Sequence, residues 1–364
     1  MPQWAHAQDP VNILIIRSYN SQLPWHREFE NAFVESIQSD GQPYSLFVEN
    51  LEGSRLQGKG QEVFAQFIQG RYASVGIDYI IADINLASDF LKNHPELLPH
   101  ATKIGFNLNA GLSGEANVSL SYEDNFIQIN SSNDYYRSVE TAASLIDFKH
   151  LYVISETQET AVYENLSQFK QAIERLGKKE FEVTYLPPMA LDEYKTALKQ
   201  APPQSAVYYF LLFQDAAGQR FTPYWALQQL QTASDLPFFS NWSSLLGSGT
   251  IGGRSVSATL AAQTTWNTIR SHLIGQQVGA TEVDLYRYMF DANALNTWGL
   301  SRTQLPSGSI VKFEPPPLWE TYRTEVLVGA MIMMGLLIWA LSAQRVLKER
   351  TRSEQAKGRF LANM

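Results

Sequence analysis

Apolar and polar positions alternate in blocks along most of the chain. Residues 12–19 (NILIIRSY) are a short isoleucine-rich run, the pattern of a strand buried on both faces of a parallel sheet. A polar loop at 20–25 leads to an amphipathic stretch with Phe29, Phe33 and Ile37 at helical spacing, closed by Asp40-Gly41. Residues 44–48 read as a second strand, and 58–72 as a helix with Val63, Phe64, Phe67 and Ile68 on one face. Residues 79–82 (YIIA) and 103–107 read as further strands. Strand and helix alternating over short connections predict a doubly wound α/β lobe, about residues 12–110. The Asn-, Ser- and Gly-rich stretch 109–133 reads as a crossover.

The alternation then restarts. Helices are expected at 134–146, 161–176, 191–200 and 222–231, the last with Pro223 in its first turn. Strands are expected at 151–155, 181–185, 206–213 (AVYYFLLF) and 237–240. These make a second lobe, about 134–245. A helix over 256–274 would turn Ala258, Leu260, Ala261, Thr265 and Ile269 to a core.

The pattern changes at 326–343 (VLVGAMIMMGLLIWALSA), 18 residues without charge or proline. As a helix this run spans roughly 27 Å, about the hydrocarbon thickness of a bilayer. Trp339 lies near one end, at headgroup level. Residues 344–364 carry six Lys/Arg against two acids, and the remaining 343 residues hold 22 Lys/Arg against 34 acids. The positive-inside rule puts 344–364 in the cytoplasm and 1–325 outside. The competing reading is a buried core helix. An 18-residue uncharged run with a basic segment on one side only weighs against it. The expected organisation is therefore a two-lobed domain over 12–315, a 316–325 juxtamembrane linker, a 326–343 membrane helix and a 344–364 cytoplasmic segment. The first 11 residues contain Ala5-His6-Ala7, an A-x-A pattern, without a basic or apolar signal region. They read as a signal-peptide remnant or linker.

The chain has no cysteine, which excludes disulfides, thiolate catalysis and Cys-ligated metals. The acidic domain before the span argues against nucleic acid. The six histidines show no i, i+4 pair and no HExxH motif, so no metal site is expected. No nucleophile elbow or phosphate loop occurs, and no catalytic residue is assigned. Gly247, Gly249 and Gly252 match G-x-G-x-x-G, but without the preceding strand and following acid of a dinucleotide site. With Gly253 they read instead as hinge or cleft glycines. In open parallel sheets a ligand sits outside the carboxyl ends of the strands. Those ends carry Tyr19, Asn20, Asp83, Asn85, Asn107, Glu156, Gln214, Asp215, Asn241 and Trp242, with Trp25 in the first loop. The set is polar and aromatic, and suits a neutral, cationic or hydroxyl-rich ligand better than a phosphate. Exposed loops are polar in any case. Tyr19, Trp25 and Asp215 lead the candidates.

Three stretches carry a family resemblance. They are LIIRSYNSQLPW (14–25), GSGTIGG (247–253), and DANALNTWGLSRTQLPSGSI (291–310) followed by PLWE (317–320) and Tyr322-Arg323. Together they resemble the periplasmic sensor family related to ABC-transporter substrate-binding proteins, whose fold is that of the type I periplasmic-binding proteins. The ending FLANM (360–364) resembles the run before the phospho-accepting histidine of histidine kinases. The resemblance implies the input half of a two-component sensor kinase, inactive by itself. It also implies homodimerisation, a response regulator as partner, and ATP and Mg only in a kinase domain beyond residue 364. Val346, Ser353 and Phe360 recur every seven residues, a weak coiled-coil pattern. The alternatives are a membrane-tethered solute-binding protein serving a transporter, a sensor that binds a periplasmic protein, and an enzyme on an α/β scaffold.

Overall fold

A computed structural model describes residues 10–53, 55–56, 58–108, 118–155, 160–177, 181–276, 284–316, 319 and 322–362. The chain forms two compact units, one ending at Phe313 and one beginning at Glu314.

The first unit is two-lobed. Lobe 1 is built on β1 (Val11–Arg17), β2 (Tyr44–Asn50), β3 (Tyr79–Ala82), β4 (Thr102–Asn107), β5 (Val118–Glu123) and β6 (Phe126–Ser131), in the order β2-β1-β3-β4-β6-β5. All neighbours are parallel except the β5–β6 pair. Side chains alternate across β1, so Ile13 and Ile15 enter one core while Leu14 and Ile16 enter another. The first core is covered by α1 (Pro24–Asp40), the second by α2 (Lys59–Tyr72) and α3 (Asn85–Asn93). Burial on both faces is why β1 reads as an unbroken apolar run.

Lobe 2 repeats the design. Strands β7 (His150–Ile154), β8 (Glu182–Tyr185), β9 (Ser205–Tyr209) and β10 (Phe238–Phe239) form a parallel sheet ordered β10-β9-β7-β8. Its faces are covered by α4 (Tyr135–Leu145) and α5 (Thr160–Arg175) on one side, and by α6 (Leu191–Lys199) and α7 (Pro223–Gln231) on the other.

Three departures from the sequence reading matter. First, 118–131 is not a crossover. Ile127 and Ile129 enter the first core from β6, while the polar residues between them hide the strand from a run-based reading. The crossover is only residues 132–134. Second, the chain returns to lobe 1. After β11 (Gly252–Val256), α8 (Ala258–Leu273) packs against α1, and Trp266 meets Phe33 edge-on at 6.1 Å. It then passes back through β12 (Tyr286–Asp291) and α9 (Ala292–Thr297) to β13 (Ile310–Lys312) in lobe 2. The lobes are therefore joined at three places. Third, α2 buries Phe64, Ala65, Ile68 and Tyr72, whereas Val63 is 63% and Phe67 44% exposed. The 64/68/72 ridge meets the sheet, and 63 and 67 lie about 100° off it.

The second unit is dominated by one helix, α10 (Arg323–Ala362), 40 residues without a break. It is about 60 Å long. Its Arg323–Gln355 part is long and apolar enough to cross a membrane.

Candidate functional site

The carboxyl end of β1 delivers Ser18 and Tyr19 to the edge of lobe 1, and Pro24 starts α1 immediately beyond. Pro24 stands at the first helical position, where its missing N–H costs nothing. That sharp reversal brings Trp25 and His26 back beside Asp83, which follows β3. The Trp25 indole donates to the Asp83 carbonyl at 3.3 Å. The Ser18 N–H donates to Asp83 Oδ1 at 2.9 Å, and His26 Nδ1 is bonded to Asp83 Oδ2. Ser18 Oγ accepts from the Ala87 N–H at 3.0 Å, tying the start of α3 into the same cluster.

Lobe 2 supplies the opposite wall. Strand β9 ends at Tyr209, short of the expected Phe213, so Leu211 and Phe213 leave the sheet for the cleft. Phe213 stacks on Tyr19 with ring centroids 4.4 Å apart and planes 17° from parallel. Trp242 meets Trp25 edge-on at 5.4 Å and packs against the cores of both lobes. The enclosed space, about 20 Å3, is lined by Tyr19, Trp25, His26, Tyr224, Trp242 and Ser244, together with Leu, Ile and Pro side chains. As it stands it holds about one water-sized group, and anything larger requires the lobes to part.

Of the residues proposed from the sequence, Tyr19, Trp25 and Trp242 line this pocket. Asp83 lies directly behind it, its carboxylate engaged by Ser18 and His26. Others are engaged elsewhere. Asn20 accepts from the Gln22 N–H at 3.0 Å within its own loop. Asn85 accepts from the Leu108 N–H at 3.0 Å, joining α3 to the end of β4. Asn107 closes β4, in register with Asn130. Gln214 bridges to Arg220. Asp215, a leading candidate, is buried and accepts from the Leu191 N–H at 3.0 Å and the Gln219 N–H at 2.9 Å. It thus organises the start of α6 and a turn. Glu156 lies outside the described residues. None of the four glycines lines the pocket. Gly247 and Gly249 precede β11, and Gly252 and Gly253 open it. Gly252 has φ +110°, and a Cβ there would strike the Met289 carbonyl and approach Phe290 Cα to 2.7 Å. It is a close-packing requirement against β12.

Asn241 belongs to a buried polar network at the crossovers. Its Nδ2 donates to Asn133 Oδ1 at 3.4 Å, and the Tyr286 hydroxyl donates to the same oxygen at 2.7 Å. Asn133 Nδ2 donates to Asn165 Oδ1 on α5 at 3.0 Å. Arg254, 5% exposed, donates through Nε to Asp134 Oδ2 at 3.0 Å and through Nη1 to the Tyr286 carbonyl at 2.9 Å, and pairs with Asp284. One guanidinium thus ties β11 to the other two crossovers. Burial works to lower the Arg254 pKa, but Asp134 and Asp284 raise it overall. Burial raises the hydroxyls of Tyr135, Tyr208 and Tyr286 above the usual tyrosine range, keeping them neutral donors. Near the exit from the unit, Lys312 Nζ pairs with Glu28 Oε1 on α1 at 2.8 Å, a bond between the lobes.

Among the lining residues that sequence reasoning missed are His26, Leu211, Tyr224 and Ser244, and Phe213 backs Tyr19 from outside the lining. His26 adjoins Trp25, so it was within reach, but its partner Asp83 lies 57 positions away and meets it only because β1 and β3 are neighbours.

No protein-family model matches the chain, and no curated protein matches it. Solved structures do. A conserved domain protein from Vibrio cholerae aligns with a TM-score of 0.56 at 11% identity, covering 83% of this chain and 99% of that one. The ABC domain in complex with L-Trp from Streptococcus pneumonia aligns with a TM-score of 0.56 at 13% identity, over 83% and 99%. A ligand-free, open substrate-binding protein with adhesive properties from Clostridium difficile aligns with a TM-score of 0.56 at 14% identity, over 83% and 98%. At such identities the likeness establishes the fold alone. That fold is the mixed α/β, two-lobed architecture of the type I periplasmic-binding proteins, here followed by one long apolar helix.

Proposed function

We propose that the two-lobed unit is an extracytoplasmic receptor for a small molecule bound between its lobes, and that α10 carries its state across the inner membrane. The observation that carries this reading is the aromatic pocket whose walls come from both lobes, with Tyr19 and Trp25 on one side and Tyr224 and Trp242 on the other. A ligand there touches both lobes, so its affinity depends on their arrangement and it shifts the population of arrangements. Two of the structural neighbours are a complex with L-Trp and a substrate-binding protein, which supports a ligand of amino-acid size. In this reading residues 1–325 are periplasmic and 344–364 cytoplasmic. The finer role is the input half of a homodimeric sensor histidine kinase, supported by the FLANM ending and the uninterrupted α10.

A membrane-tethered solute-binding protein for a transporter fits the same fold and pocket equally well. Two experiments separate the readings. Thermal unfolding of the full chain in detergent, against a panel of amino acids and sugars, should find at least one stabilising ligand, and Trp242→Ala should abolish its shift. A ligand at 100 times its dissociation constant contributes about 2.7 kcal/mol. If no metabolite acts but a periplasmic protein is captured, the ligand is that protein. Fusion of residues 1–364 to a histidine-kinase dimerisation and catalytic domain should then give ligand-dependent autophosphorylation. A fusion that binds ligand with unchanged phosphorylation favours the transporter reading.

A further inference from the structure

We propose that the His26–Asp83 pair is the polar anchor of the pocket and selects a ligand bearing an amine, or another N–H donor, on an apolar or aromatic body. This deepens the small-molecule reading above and rests on it. His26 and Asp83 are each 1% exposed. Nδ1 of His26 is committed to Asp83 Oδ2, and the other carboxylate oxygen, Oδ1, accepts from the Ser18 N–H at 2.9 Å. His26 lines the pocket, and its Nε2 is buried with no hydrogen-bond partner. A carboxylate at Nδ1 holds the ring proton on that nitrogen, which leaves a lone pair on Nε2. With Nδ1 taken by the carboxylate, Nε2 is the ring atom left to meet a ligand, and a ligand N–H satisfies it.

The surroundings have the same sign. No Lys or Arg is among the residues lining the pocket, and the Asp83 carboxylate stands behind the imidazole. The rings of Tyr19, Trp25 and Trp242 add faces that attract cations. An ammonium entering this space finds an acceptor and aromatic faces. A carboxylate would give up its hydration to meet a lone pair. The remaining polar groups of the lining, the Ser244, Tyr19 and Tyr224 hydroxyls, donate and accept alike and do not reverse the preference.

The test titrates the full chain in detergent with 2-phenylethylamine and with 3-phenylpropionate, which share an apolar body and differ in the sign of the charge. Calorimetry should show the amine binding at least about tenfold more tightly, the worth of one charge-assisted hydrogen bond. Asp83→Asn makes a sharper demand. Its Oδ1 retains the Ser18 N–H, so its Nδ2 faces His26 Nδ1 as a donor and the ring proton moves to Nε2. The pocket then offers a donor, and the preference should turn toward the carboxylate. His26→Phe should remove the discrimination. A merely structural pair would weaken both probes together. Equal or tighter binding of 3-phenylpropionate to the wild type overturns the proposal and leaves the receptor reading standing. Failure of both probes in a protein stabilised by some member of the metabolite panel overturns the proposal alone. Silence to probes and panel together overturns both.

Discussion

Replacing Arg254 by Met tests whether the crossovers are held by charge. Methionine keeps much of the aliphatic volume and removes every bond the guanidinium makes. Asp134, 2% exposed, is then left with the Arg137 N–H at 3.3 Å and the Arg137 guanidinium at 3.6 Å, which is half exposed. Breaking one side of a buried pair costs about 3–5 kcal/mol, and the residual help from Arg137 puts the expected loss near the lower end, about 3 kcal/mol. For a unit of this size each kcal/mol moves the midpoint by about 2 °C, so a fall of about 6 °C is expected. The assay is thermal unfolding of the full chain in detergent, followed by tryptophan fluorescence. Arg254→Met combined with Asp134→Asn should recover at least about 1 kcal/mol of the loss, because no bare carboxylate remains buried. A single variant within about 0.5 kcal/mol of wild type, or strictly additive losses in the double variant, would refute the reasoning.

Other outcomes follow from the same structure. Burial first, then neighbouring carboxylates, raises Tyr79 and Tyr185 to about 12, and burial raises Tyr72, Tyr135, Tyr208 and Tyr286 as well. Each contributes stability that is complete below the unfolded value near 10 and is lost as pH rises through the folded value. Alkaline unfolding should therefore release a cooperative step in the absorbance of tyrosinate, and a gradual titration of all tyrosines would contradict it. Gly252→Ala should destabilise by about 2–5 kcal/mol through strained φ and overpacking, whereas Gly70→Ala, in open space on α2, should be neutral or slightly stabilising. In the kinase fusion, Gly335→Leu should leave membrane insertion intact and change the ligand response. An unchanged response would make α10 an anchor only.

Much of the fold was legible because the main sheet of each lobe is covered on both faces, so its strands appear as apolar runs such as 12–16 and 206–210. What escaped was structure defined by distant partners. Strand β6 alternates Ile127 and Ile129 with polar residues, and Gln128 between them is buried through its bond to Ser88 Oγ at 3.4 Å, a partner 40 positions away. Strand β11 opens on Gly252 because β12 passes too close for a Cβ there. The aromatic members of the site, Tyr19, Trp25 and Trp242, stood out as large residues at strand ends. Asp215 stood out equally, yet its carboxylate is spent on backbone N–H groups that composition cannot reveal. Phe213 looked like the end of a strand and is instead half of a stacked pair with a residue 194 positions earlier.

The return of the chain to lobe 1 also sets the order in which the molecule can be made. The α1 face carrying Phe33 and Asp40 is completed by Trp266, whose ring packs on Phe33 and whose indole donates to Asp40 Oδ2 at 2.7 Å. Tyr79 waits for His272, bonded to it at 2.8 Å from 193 residues away. During synthesis, lobe 1 therefore carries an uncovered apolar face until all of lobe 2 up to β11 has emerged. Lobe 2 in turn lacks β12 until α8 has docked. Closing such distant pairs is entropically slow, and exposed faces invite aggregation. Folding of this unit is accordingly a late, whole-chain event, and a ribosome-stalled or truncated chain ending before about residue 275 should be captured by holding chaperones.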